Sequence, residues 1–301
     1  MIEQISANKR KTVLMIAIFV LIITALVWII NQLLGMGTIG LVIALIIAGG
    51  SAFLSYWKSD AVALAVSRAK PADGPEYARL HNVIEGLCIA AGLPKPRVYV
   101  IQDEAPNAFA TGRNPDHAAV AVTTGLLERM NRVELEGVLA HELSHIKNYD
   151  ILVSTLAVTM VGTVAILCDL GFRSMWWGGI SGRRRDNGNE AGGIILIVGI
   201  VFLILAPISA QMMQFAISRR RESLADVSGV QLTRYPPGLI SALEKLRDDQ
   251  TVVHSASRAT AHLWIEEPIP NNQEEGRMSW LNKLFLTHPP IEQRIAALEQ
   301  L

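Results

Sequence analysis

The stretch His141-Glu142-Leu143-Ser144-His145 carries two imidazoles four residues apart with a carboxylate beside the first. On a helix, positions i and i+4 lie on one face, so both rings can offer a nitrogen to one metal ion while Glu142 stands next to it. That is the geometry of a zinc hydrolase. A catalytic zinc site needs three protein ligands and keeps a fourth position for water, so the rest of the chain must supply one more. His81, His117, His254 and His262 have no partner spacing and read as ordinary surface or core histidines. Asp150 follows the motif closely enough to support it, and a charge at a membrane interface explains it equally well.

The flanking residues favour a helix. Asn131 with Glu134 reads as an N-cap and its capping-box partner, and Val133, Leu135, Val138 and Leu139 supply an apolar face. Ahead of it, Glu76 to Ala91 has apolar residues at helical spacing and is closed by Gly92 and Pro94. Arg97 to Gln102 reads as a strand, and Asn107 to Thr111 with Ala118 to Thr123 as a hairpin around Gly112, Asn114 and Pro115. Thr124 and Gly125 then lead into a short helix.

Composition sets the wider frame. Half of the 301 residues are hydrophobic, and 27 basic side chains balance 27 acidic ones, which argues against nucleic acid as a partner. Cys88 and Cys168 stand far apart and suggest neither a disulfide framework nor a cysteine metal site. Four apolar runs are long enough to cross a lipid bilayer: Thr12 to Ile30, Ile39 to Trp57, Ile151 to Leu170, where the motif helix continues without a break, and Ile194 to Ile217. Lys9, Arg10 and Lys11 precede the first pair and Lys58, Arg68 and Lys70 follow it, placing both flanks in the cytoplasm. Arg183, Arg184 and Arg185 between the later runs oppose that rule, so the second hairpin either violates it locally or does not fully cross.

After the fourth run, Glu222 and Asp226 are four apart, so one carboxylate can bind metal while the other orients a ligand histidine through its free ring nitrogen. Two apolar runs separate His141 from Glu222, an even number, so both lie on the same membrane face.

Four blocks in this order resemble the HtpX-type membrane zinc metallopeptidases, relatives of the CAAX prenyl proteases. They are Asn107 to Gly112, His141 to His145, Arg221 to Asp226, and Thr287-His288-Pro289-Pro290 followed by Arg294. The resemblance implies that His141, His145 and Glu222 bind Zn2+, that Glu142 is the catalytic base, and that Asp226 orients a ligand histidine. His288 is then a candidate donor to the oxyanion, with Arg294 in possible support. Asn107, Ala108, Phe109 and Ala110 form an edge strand for substrate. The fold implied is α+β: a mostly helical, zincin-like (gluzincin) domain with a small sheet, fused to about four transmembrane helices. Residues 1–57 are an N-terminal membrane hairpin, 58–150 the first part of the peptidase domain, 151–217 the second hydrophobic hairpin and 218–301 the rest of the domain.

The resulting expectation is an integral zinc endopeptidase of the inner membrane, facing the cytoplasm and cutting misfolded or damaged membrane proteins under stress. Two alternatives stay open: a dedicated processing enzyme of the prenyl-protein type, and a zinc-binding membrane scaffold or transporter without hydrolytic activity. Four runs do not build the seven-span chamber of the former, and an intact Glu142 has no use in the latter.

Overall fold

The computed structural model describes residues 2–34, 37–160, 219–249, 251–253, 255, 260, 263–265 and 289–301; side chains are described in 5–24 but not in 25–41, 43–45 or 47–48. Two long helices open the chain, α1 (Ile2–Leu34) and α2 (Gly37–Val66), and they pack against each other. Among the described residues, no helix is long and apolar enough to cross a membrane. The centres of the two runs expected to span lie among the side chains left undescribed, and residues 161–217 of the later pair fall outside the described residues altogether.

The sheet takes the order β1 (Lys70–Pro71), β2 (Arg97–Ile101), β4 (Ala118–Thr123), β3 (Ala108–Gly112). The expected hairpin is present as β3 and β4, antiparallel with Phe109 opposite Ala121, while β2 runs parallel to β4. The chain thus returns β4 to the middle and leaves β3 at an edge. All six residues of β4 are buried, as a strand covered on both faces requires. Ala118, Val120 and Val122 face the core formed with α3 (Ala78–Ala91) and the motif helix, whereas Ala119 and Ala121 face Ala63, Leu64 and Trp264. Alanines on that second face let α2 and an indole ring lie close to the sheet.

After α4 (Thr124–Arg129), the motif helix α5 (Arg132–Lys147) begins with the expected capping box. Asn131 Oδ1 accepts from the Val133 and Glu134 N–H groups, and Glu134 Oε2 accepts from the Asn131 N–H at 2.8 Å. Glu134 is buried and also accepts from Ser241 Oγ at 2.8 Å and Lys245 Nζ at 2.7 Å, both on α8 (Pro236–Asp248). Burial by itself raises its pKa, but Lys245, the Asn131 N–H and Ser241 outweigh that and hold it below the ordinary 4.5. A carboxyl depressed in the folded state contributes stability above its unfolded pKa and loses it as pH falls through the folded value. Glu134→Gln is therefore expected to lower stability by about 1 kcal/mol at neutral pH. The gap to the parent should close as pH falls through the depressed value of Glu134, below the ordinary carboxylate range, as read by denaturant unfolding across pH.

One expectation about α5 is corrected. It does not run on unbroken into the next apolar run: it ends at Lys147, Asn148 caps it, and Tyr149 adopts a left-handed φ of 60° before helix resumes as α6, described over 150–160. No glycine or proline marks that break. It is held by tertiary contacts instead, among them the Lys9 ammonium over the Tyr149 ring, 4.6 Å from its centroid.

Candidate metal centre

Glycine brings the two site helices together. A Cβ at Gly229 of α7 (Arg219–Thr233) would lie 3.0 Å from the backbone nitrogen of His141, so α7 touches α5 at the motif itself. Glu222, Asp226 and Gly229 are spaced i, i+4 and i+7, one face of α7, and that contact aims both carboxylates at the histidines. One turn earlier on α5, Gly137 meets the backbone of Leu239 in α8, with a hypothetical Cβ 2.8 Å from its nitrogen. Two helices thus approach the backbone of the motif helix closely, and that approach sets their registers against it.

His141, His145 and Glu222 converge, with one potential ligand atom from each lying within 4.8 Å of the others. The two Nε2 atoms are 3.1 Å apart, and Glu222 places Oε1 3.5 Å from His145 Nε2 and Oε2 3.7 Å from His141 Nε2. The outward nitrogens are both held by carboxylates: His141 Nδ1 is 2.8 Å from Asp226 Oδ1 and His145 Nδ1 is 3.1 Å from Asp150 Oδ2. With the Nδ1 protons so engaged, both Nε2 atoms point inward and must share either a proton or a cation. A tetrahedral zinc ion with bonds of about 2.0–2.1 Å sets its ligands about 3.3 Å apart, which these separations match. The donor set therefore fits zinc.

Electrostatics point the same way. Burial disfavours charge on His145, but Glu222, Asp150 and Glu142 around it prevail and take its pKa up to about 9. Carboxylates that hold a proton there so firmly would also favour a divalent cation in its place. Asp226 is buried, yet Arg294 and His141 keep its carboxyl well below the usual range. Arg294, on α9 (Ile291–Leu298), is itself buried and two-pronged, with Nε 2.9 Å from Oδ2 and a terminal nitrogen 2.7 Å from Oδ1 of Asp226. Burial pushes the Glu142 carboxyl up to about 7, with His145 opposing that shift, Glu222 adding to it and a backbone hydrogen bond from Ala110 restraining it.

The expected edge strand is at the edge, but the chain uses part of it. The Asn107 backbone faces inward, exchanging hydrogen bonds with Thr123. The Ala108 carbonyl accepts from the Ile265 N–H at 2.9 Å, and Trp264 bridges to Phe109 with their rings 4.9 Å apart, edge to face. Leu263, Trp264 and Ile265 thus line, together with Ala110, the cleft that holds His141, Glu142, His145 and Glu222. Nothing in their sequence marks them for that place. Asp150, which the sequence left open between support for the site and a membrane-interface charge, takes the first part: the turn at Tyr149 brings its carboxylate to His145. His288 lies outside the described residues.

Residues 75–301 match the sequence profile of Peptidase family M48. A protein called Protease HtpX homolog from Thermoanaerobacter pseudethanolicus is 46% identical over 98% of this chain and 95% of its own length. The protein of that name from Streptococcus uberis is 43% identical over 99% of both chains. Among solved structures, Ste24p from S. mikatae is similar at a TM-score of 0.47 and 18% identity, over 99% of this chain and 67% of that one. With a family match across three quarters of its length and near full-length relatives well above 40% identity, the chain belongs to Peptidase family M48 and is a metallopeptidase.

Proposed function

We propose that the chain is a membrane-embedded zinc endopeptidase that hydrolyses peptide bonds of misfolded or damaged membrane proteins on the cytoplasmic side. The observation that carries the reading is the pair of inward Nε2 atoms 3.1 Å apart, each ring fixed by a carboxylate behind it, with Glu222 and Glu142 alongside. His141, His145 and Glu222 would hold the zinc ion. Held by these residues, zinc would supply Lewis-acid polarisation of the substrate carbonyl and a water of pKa lowered toward roughly 7.

Glu142 does the proton work. A buried carboxyl with a pKa near 7 can take a proton from the attacking water and give it to the departing amine, both at neutral pH. Asp226 and Asp150 keep the rings turned so that Nε2 faces inward throughout. An extended substrate is assigned the outer edge of β3, where main-chain pairing recognises unfolded segments with little regard to sequence. It would displace contacts the chain makes there, Glu142 at the Ala110 N–H and Thr155 Oγ1 at the Gly112 N–H. His288, just ahead of α9, is assigned the oxyanion.

The membrane placement rests on α1 and α2. Val13, Leu14 and Leu21 on α1, and Val42, Ile46, Phe53, Leu54 and Trp57 on α2, are large, apolar and exposed. Side chains of this kind, exposed along both helices, are disfavoured by water and favoured by a bilayer. The basic residues at both ends of this hairpin support a cytoplasmic site.

The deciding experiment is cleavage of an unfolded, unmodified protein by the purified zinc-loaded chain in detergent. Cleavage that stops with a chelator and returns with zinc is expected. Cleavage indifferent to chelation, or none with zinc bound, would overturn the reading. Glu222→Gln keeps the shape of the side chain but loses its charge, and zinc affinity should fall by about 100-fold or more in a chelator competition.

A further inference from the structure

One buried amide connects the N-terminal helix to the metal centre. Asn8 on α1 is only 2% exposed, and its Nδ2 donates to the Asn148 carbonyl at 2.9 Å and to Asp150 Oδ1 at 2.7 Å. The other oxygen of Asp150 holds His145 Nδ1 at 3.1 Å. Both N–H groups of one primary amide are therefore spent on the turn that follows the motif helix. That turn needs an outside hold. The Asn148 carbonyl stands at the end of α5, where carbonyls have no partner within the helix, and left-handed Tyr149 costs about 1 kcal/mol. Lys9, next to Asn8, covers the Tyr149 ring, and Arg221, the neighbour of Glu222, brings Nε to 3.6 Å from Asp150 Oδ1. A carboxylate engaged at one oxygen could rotate; engaged at both, it fixes the plane in which the imidazole must lie.

We propose that Asn8 is a positioning residue of the metal centre: by locking Asp150 it sets the ring of His145, so the N-terminal helix is a working part of the peptidase site. Asn8 lies outside the segment matched by the family profile. The proposal rests on the reading of His145 as a metal ligand, and the test separates the two.

The full-length chain in detergent is loaded with cobalt for its visible spectrum and with zinc for chelator competition. Asn8→Ala is expected to weaken zinc binding on the order of tenfold and to alter the cobalt bands. Asp150→Asn should do the same, because its amide nitrogen would oppose that of Asn8, and the double variant should be no weaker than Asp150→Asn alone. Thr12→Val, which removes the hydroxyl bonded to the Asn8 carbonyl but leaves the amide in place, should change neither readout. Parental affinity and spectrum in Asn8→Ala, or a double variant whose losses multiply, would overturn the proposal. His145→Ala with unchanged cobalt bands would instead remove His145 from the ligand set. If Asn8→Ala does not fold, Asn8→Ser, which keeps one donor, is read by the same criteria.

Discussion

Glu142→Gln should abolish turnover while leaving zinc in place. Glutamine has the size of glutamate but neither accepts nor passes on a proton, so the loss should reach roughly 10²–10⁴-fold, the usual contribution of a positioned acid-base group. Retention of zinc follows from geometry. Glu142 is not among the three side chains whose donor atoms converge, and it is hydrogen-bonded to the Ala110 backbone on β3. Two measurements on one sample decide it: zinc content by elemental analysis and cleavage of an unfolded protein. Loss of zinc on this change would move Glu142 into the ligand set and undo the division of labour with Glu222.

Arg294→Ala is expected to have the largest effect on stability. It would leave the Asp226 carboxylate buried, still beside His141, without the guanidinium that meets both of its oxygens. Removing one partner of a buried ion pair costs about 3–5 kcal/mol, because the remaining charge has neither water nor a counter-ion. The Ile265 carbonyl loses its donor too, since Arg294 holds it at 3.0 Å. Arg294→Lys should cost less but not nothing, as an ammonium cannot reproduce the two-pronged contact. The double variant Asp226→Asn with Arg294→Met should unfold at higher denaturant than Arg294→Ala alone. Additive losses in that cycle would mean the pair acts as two independent packing residues, and Arg294 would have no part in holding His141.

What could be read from the sequence was local. The capping box at Asn131, the left-handed cap at Gly92 and the turn around Gly112 each depend on residues within a few positions, and each element stands where they put it. Helical spacing put His141 and His145 on one face of one helix and Glu222 and Asp226 on one face of another. That Glu222 completes the histidine pair was implied by the family resemblance alone, and the structure brings the three together. Contacts between distant segments left no such mark. The parallel pairing of β2 with β4 and the use of Ala108 by Ile265 are decided by packing of the whole sheet. The break at Tyr149 carries no glycine or proline, and α1 supplies the hold from 140 positions away through Asn8. Arg294 could be suspected from its block, but its buried grip on Asp226 requires α9 to lie against α7, which no periodicity encodes.

A single metal centre underlies these predictions, and X-ray absorption at the zinc edge of the loaded chain tests it most directly. The expected first shell has two imidazole nitrogens and two oxygens, one from Glu222 and one from solvent, at about 2.0–2.1 Å. The imidazole count should fall to one in His145→Ala, and an oxygen should be lost or lengthened in Glu222→Gln. A shell with one imidazole or with sulfur in the unaltered chain, or one unmoved by both substitutions, would contradict the site described.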